Sequence, residues 1–383
     1  MTAGRRNGAA LLCLLVFCNT LSISAFGPLF PEIGRTEGLA DWQLGVLVGS
    51  FGLARMVADL PSGALAGRHL ALTLVLSPAI ILAGMLMLAT AGPFPVLVLG
   101  RVFTGIGHTL GMVGGLTAIL REDGGRSASF RLNVFEFSGM LGVLGGLASV
   151  GVLPAGWGWP VSLVTASAPL VVALATGPAL WRRFPTDLHD SPPMSGIDGG
   201  RPSRSRAPVW FMFGVGAILA IAWSSVSQFL VPLRATREFG LDRRGVSALL
   251  ALPQLVDLAA LLPVGWLADR AGRVPVLGAV LLVLGAGTWA TGLGPFPLVV
   301  AGSALFGMGM AGWMLPMGLI REHIGLRSLA WWTGLYRVGL DAAAFLGPLI
   351  CGLMGEAHTA AFIAPIGLAS IAAGGRLVWR GLP

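Results

Sequence analysis

Two stretches decide how this chain is read. Pro61–Arg68 runs PSGALAGR, and Pro263–Arg270 runs PVGWLADR, 202 residues further on. A second pair repeats nearly the same offset: Arg131–Gly146 (RLNVFEFSGMLGVLGG) matches Arg337–Gly352 (RVGLDAAAFLGPLICG) at 206 residues. Two near-equal offsets in a chain of 383 residues point to duplication, so the chain reads as two related halves.

The residues around these stretches set the solvent. The chain is 55% hydrophobic and 11% charged, against about 25% charged in a soluble domain. Mean hydropathy is +0.81. There is too little polar surface to cover a soluble core, so lipid must solvate much of the protein. A helix crosses a bilayer with about 20 apolar residues. About twelve such stretches are present, roughly 8–30, 43–66, 70–91, 94–119, 131–153, 159–181, 208–232, 245–267, 274–293, 296–320, 329–354 and 358–379. The expected fold is an all-α polytopic membrane protein with about twelve transmembrane helices in two pseudo-symmetric six-helix bundles, 1–181 and 208–383. Residues 182–207 lack apolar periodicity, are rich in Pro, Ser, Gly, Asp and Arg, and read as a cytoplasmic linker. The first stretch reads as a span, not a cleavable signal: it is long, holds Pro28 and Pro31, and has no clear small-residue cleavage site.

All 25 basic residues are arginine. With the N-terminus placed in the cytoplasm, seventeen fall in inner loops or termini, and five (Arg35, Arg234, Arg237, Arg243, Arg244) fall outside. Arg55, Arg101 and Arg337 remain within spans. The excess inside puts both termini in the cytoplasm, and the expected location is the cytoplasmic (inner) membrane of a bacterium. It also explains the net charge of +8 without nucleic acid, since the arginines are spread over short loops with no aromatic interleaving. The 57 glycines and 25 prolines sit within apolar runs, where small residues let membrane helices approach closely. Cys13, Cys18 and Cys351 lie in apolar segments, have no metal-ligand spacing, and read as packing residues.

Parallel six-helix repeats are one plan of secondary transporters, with the binding site at the midplane between the halves. Here the residues resemble the major facilitator superfamily. GWLADRAGR matches its loop motif through Gly265, Leu267, Asp269, Arg270, Gly272 and Arg273. The resemblance gives this loop a gating role: the glycines allow a tight turn, and Asp269 can pair with an arginine or face a helix N-terminus. The first copy departs from the pattern, with Gly67 in place of aspartate and Leu70 in place of glycine. RVFTGIG is similar to the family's helix-4 pattern through Arg101, Gly105 and Gly107, and Gly107, Gly111 and Gly115 continue a stripe at spacing four. GPLICG (Gly347, Pro348, Gly352) resembles the antiporter-associated motif, which the fifth helix lacks.

Ionisable groups within spans cost about 2.5–3.5 kcal/mol each at a helix centre on insertion scales. Arg55 with Asp59, and Arg337 with Asp341, stand four apart on single helices; Arg101, Glu136 and Asp257 lie on others. The paired positions read equally as internal salt bridges. A carboxylate's proton affinity rises with desolvation and falls beside an arginine, and alternating access changes both. Proton-coupled transport is therefore expected, with Glu136 or Asp341 as carrier and Arg101 as counter-charge or as ligand of an anionic substrate. The drug-antiporter subfamily often has an acid in helix 1; this chain has Asn19, Ser22 and Ser24.

The resemblance lines a central cavity with helices 1, 4, 7 and 10. These supply Asn19, Ser22, Thr104, His108, Trp223, Ser224, Ser227, Gln228 and Trp313, a mixture of aromatic and hydroxyl groups suited to a small amphipathic molecule. Each reads alternatively as helix packing. Met308, Met310, Met314 and Met317 leave a copper carrier as another reading, since thioethers suit Cu(I). No Walker loop, HExxH or nucleophile motif is present, which speaks against an enzyme, and no cofactor is called for. A receptor or assembly factor on the same fold is a further alternative, because function lives in sites and not in folds. The expected partners are a small solute, protons and the bilayer, with the chain working as a monomer.

Overall fold

The computed structural model describes residues 3–123, 128–154, 156–184, 206–324, 329–355 and 358–383. Most of the linker read at 182–207 lies outside them. Among the described residues, twelve helical spans are long and apolar enough to cross a membrane. Spans 1 to 6 are Gly8–Thr36, Asp41–Arg68, Leu70–Ala89, Phe94–Arg121, Arg131–Val152 and Trp159–Arg183. Spans 7 to 12 are Ala207–Arg237, Arg243–Ala271, Arg273–Leu293, Phe296–His323, Trp331–Met354 and Thr359–Arg380.

Four spans are broken, and proline explains where. Span 1 stops at Ser24 and resumes at Phe26; span 6 is three short helices, Trp159–Ala166, Pro169–Ala175 and Gly177–Arg183. Span 10 is interrupted between Met310 and Leu315. Span 7 carries a π-helix, Trp223–Leu230, between Ala207–Ala222 and Val231–Arg237. Each resuming helix has proline in its first turn: Pro28, Pro169, Pro178, Pro316 and Pro232. Proline donates no backbone hydrogen bond and its ring crowds the carbonyl four residues back. In span 7 that carbonyl belongs to Gln228, and Val231 instead bonds Val226, five residues back. Other prolines (Pro61, Pro253, Pro263, Pro348, Pro365) sit inside unbroken helices.

The chain divides into two compact units. One holds Met1–Ala40, Ser50–Pro192 and Asp242–Ala248; the other holds Asp41–Gly49, Pro193–Leu241 and Leu249–Pro383. The short segment Asp242–Ala248 is held in the first unit by Arg243. Its guanidinium donates to Glu32 Oε2 from Nη2 at 2.6 Å and Nε at 3.2 Å, to Ser162 Oγ at 2.7 Å and to the Trp157 carbonyl at 2.9 Å.

Packing inside the units follows the duplication. In the first, span 1 lies against span 5, and span 3 against spans 4 and 6. In the second, span 7 lies against span 11, and span 9 against spans 10 and 12. Side-chain hydroxyls tie these pairs to backbone carbonyls: Thr20 to Gly139 at 2.8 Å, Ser77 to Gly107 at 2.7 Å, and Ser370 to Leu281 at 2.7 Å. The crossing of spans 3 and 4 is made by Gly84 and Gly100, and that of spans 9 and 10 by Gly287 and Gly302. These glycines repeat at offsets of 203 and 202, a third signature of the duplication. Apolar contacts complete the first unit, with Leu12, Leu15, Leu74, Ile119, Phe135 and Leu180 in one buried cluster.

The two copies of the loop stretch fold differently. Span 8 ends at Ala271, and Gly272 turns the chain at φ +94°, ψ 144°, before Arg273 starts span 9. A side chain is poorly tolerated there. In the first copy His69 makes the turn at φ −137°, so no glycine is needed where Leu70 stands.

Candidate functional site

In the first unit, Arg101 sits two turns into span 4 and is 5% exposed. Phe26, from the resumed part of span 1, covers one guanidinium contact at 4.0 Å from ring centroid to Cζ; Phe51, from span 2, makes another at 4.8 Å. The Arg101 Nε and Nη1 atoms are buried and have no hydrogen-bond partner among the described residues. The Phe51 ring also meets the Arg55 guanidinium at 5.7 Å and the His108 ring at 5.5 Å. Three of the sequence-selected residues, Arg55, Arg101 and His108, are thus gathered on one phenylalanine. Sequence reasoning missed both phenylalanines, because nothing in their own spans marks them.

The other selected residues of this unit lie elsewhere on spans 1, 2, 4 and 5. Asn19 donates from Nδ2 to Ser77 Oγ at 2.8 Å, and Ser77 donates onward to Gly107, joining spans 1, 3 and 4. Gly111 leaves room for that network: a Cβ there would stand 2.6 Å from Ser77 Oγ. Thr104 bonds back to the Arg101 carbonyl at 2.7 Å. Ser22 is fully buried, Asp59 is buried on span 2, and Glu136 is half-buried on span 5.

In the second unit, Trp223, Ser224, Ser227 and Gln228 all fall in the π-helix of span 7. A π turn places an extra residue in the helix, a feature common at functional positions. Ser227 borders a small cavity with Pro253, Thr291, Ser303 and Phe306, about 10 Å³ in size, room for about one water. Trp313 is half-buried in the turn that breaks span 10. Asp341 is 2% exposed on span 11, one turn from half-buried Arg337, and Asp257 is half-buried on span 8. At the 206-residue offset Glu136 aligns with Ala342, next to Asp341, so the two halves carry acids at neighbouring repeat positions.

At the end of span 8, Gly265, Asp269 and Arg270 are exposed, and Arg270 stacks on Trp266 at 4.3 Å. The ion pair there joins Arg273 to Glu322, Nη1 to Oε1, at 2.6 Å, so the loop is tied to the end of span 10. Its first-half counterpart is Arg121, which donates to the Gly67 carbonyl at 2.6 Å. Among the described residues, no group of three or more His, Cys, Asp or Glu side chains is placed to hold a metal ion. Of the span 10 methionines, Met310 is buried, Met317 is half-buried, and Met308 and Met314 are exposed.

A duplicated bundle of twelve apolar spans, with broken helices and buried charges, defines a class: helical membrane transporters. The Major Facilitator Superfamily profile matches residues 12–236 and 212–383, and the chain belongs to that family. It is a membrane transporter of small substrates and not an enzyme. The chain is 24% identical over 390 residues to the 4-hydroxybenzoate transporter PcaK of Pseudomonas aeruginosa, across 90% of this chain and 86% of that one. It is 30% identical over 316 residues to the facilitated glucose transporter member 10 of solute carrier family 2 from Mus musculus, across 73% of this chain and 58% of that one. In fold it is similar to a POT family transporter solved in complex with 5-aminolevulinic acid: TM-score 0.79, 12% identity, 97% of this chain and 95% of that chain.

Proposed function

We propose that this chain is a secondary active transporter that carries a small organic solute across a bacterial inner membrane by alternating access, driven by protons. We read it as a monomer, and the arginine distribution supports placing both termini in the cytoplasm. The observation that carries the proton-coupled reading is Asp341, a carboxylate 2% exposed within span 11. A buried carboxylate in a membrane helix is costly and marks an ion or proton path more often than a structural contact. Its proton affinity follows its surroundings, and alternating access changes those surroundings in each cycle. Glu136, at the neighbouring repeat position in the other half, is the second carrier candidate. The likeness to a 4-hydroxybenzoate transporter over most of both chains supports a small organic solute.

The test uses purified protein in proteoliposomes with a trapped pH-sensitive dye and an imposed pH gradient. Aromatic acids, sugars and amino acids are added in turn, and labelled uptake is followed in parallel. The expected result is solute-dependent proton movement in the wild type that is lost in Glu136→Gln or Asp341→Asn. Uptake that ignores the pH gradient, and is unchanged in both variants, overturns the coupling.

A further inference from the structure

Arg101 is a buried cation whose environment is half finished. A guanidinium carries five N–H donors, all in its plane and none on its faces. Phe26 and Phe51 contact it at 4.0 and 4.8 Å through their rings. These contacts steady the group but satisfy none of its donors. Nε and Nη1 remain buried without a hydrogen-bond partner among the described residues, on a side chain 95% buried. Native structures rarely leave such groups unsatisfied, and each instance asks for a missing partner. A buried cation asks for an anion.

The surroundings narrow the anion. Phe51 bears Arg55 and His108 on its ring as well as Arg101, so basic and aromatic side chains share this wall, with Asp59 one turn from Arg55 on the same span. The donors of a guanidinium all lie in its plane, and a flat carboxylate meets two of them edge to edge, Nε with Nη2 or Nη1 with Nη2. A tetrahedral phosphate would push oxygens out of that plane toward the rings. Phe51 and His108 are half-buried, and a flat apolar body suits the ring surfaces they present beside Arg101.

We propose that Phe26, Arg101 and Phe51 form a carboxylate subsite and that the carried solute is an aromatic carboxylate, its acid group on Arg101 and its ring against Phe51 and His108. The carriage of this ligand rests on the transport reading above; its binding does not.

Binding is tested without transport, by thermal unfolding of the purified full-length protein in detergent. The probes are benzoate and phenylacetate, with benzamide as the neutral isostere and inorganic phosphate as the tetrahedral anion. A ligand that binds the folded state alone raises Tm with its concentration. At least one carboxylate is expected to raise Tm in a saturable manner, while benzamide and phosphate leave it unchanged. Arg101→Gln is expected to weaken the carboxylate effect at least tenfold. Arg101→Lys keeps the charge without the planar fork and weakens it as well; Phe51→Leu weakens it less. Should Arg101→Gln fail to fold, Arg101→Lys and Phe51→Leu carry the comparison. No stabilisation by either carboxylate, equal stabilisation by benzamide, or a response unchanged in the Arg101 variants overturns the subsite. Carboxylate binding without proton movement in proteoliposomes would instead overturn the coupling and leave the subsite standing.

Discussion

Gly84 and Gly100 bring the backbones of spans 3 and 4 into contact: a Cβ at Gly84 would stand 2.6 Å from the Gly100 carbonyl oxygen, and one at Gly100 would stand 2.8 Å from that of Gly84. The obstacle in both cases is main chain, which cannot swing aside. Gly84→Ala and Gly100→Ala are therefore expected to destabilise by about 1–3 kcal/mol, the usual cost of overpacking. Gly287→Ala should behave alike, since its Cβ would meet the Phe306 backbone nitrogen at 2.5 Å. Gly214 supplies the contrast, with nothing within 4 Å of the added atom. There the gain in helix propensity, up to about 1 kcal/mol, acts unopposed, and Tm should hold or rise. Thermal unfolding in detergent separates the two groups; a Gly84→Ala protein as stable as wild type would contradict the close crossing.

The loop motif holds two glycines with different duties. Gly272 adopts φ +94°, ψ 144°, a region nearly closed to other residues, where an L side chain costs about 1–3 kcal/mol. Gly265 lies in a helix, with open space around its added Cβ. Gly272→Ala should lower Tm and Gly265→Ala should not. Equal effects would mean that the motif's glycines serve something other than the turn.

Much of this was legible in the sequence, for physical reasons. Bilayer spans need continuous apolar runs, and the spans expected at 70–91, 274–293 and 329–354 match Leu70–Ala89, Arg273–Leu293 and the helix Leu329–Met354 within a few residues. The helix breaks were less legible. Pro232 and Pro316 follow interruptions whereas Pro263 and Pro348 sit inside intact helices, because neighbouring helices decide which freed carbonyls are re-satisfied. The crossing glycines were hidden by abundance: with 57 in the chain, a repeat of single glycines is no signal. The setting of Arg101 was invisible, since Phe26 and Phe51 come from other spans and only packing unites them with it.

The Asn19–Ser77 bond lends itself to a double-mutant cycle. Asn19 donates to Ser77 at 2.8 Å and Ser77 to the Gly107 carbonyl at 2.7 Å, all within the first unit. Hydrogen bonds between membrane helices average about 0.6 kcal/mol and reach about 1.7. Ser77→Ala and Asn19→Ala should each destabilise, and the double variant should cost less than their sum by about that amount. Strict additivity would show that the two side chains do not act through one another.

The carboxylates make the sharpest functional prediction. Asparagine at position 341 keeps the shape and hydrogen-bonding capacity of Asp341 but exchanges no proton, and glutamine at 136 does the same for Glu136. If either acid carries the coupling proton, its amide variant should lose pH-driven accumulation yet still exchange labelled for unlabelled solute across the membrane. Exchange needs only that the loaded carrier reorient, whereas accumulation needs a proton bound on one side and released on the other. Loss of both activities in a variant that still folds would assign the residue to solute binding or to helix packing. Retention of both would remove it from the mechanism. The buried position of Asp341, at 2% exposure against half-buried Glu136, makes Asp341→Asn the variant expected to show the larger separation between the two assays.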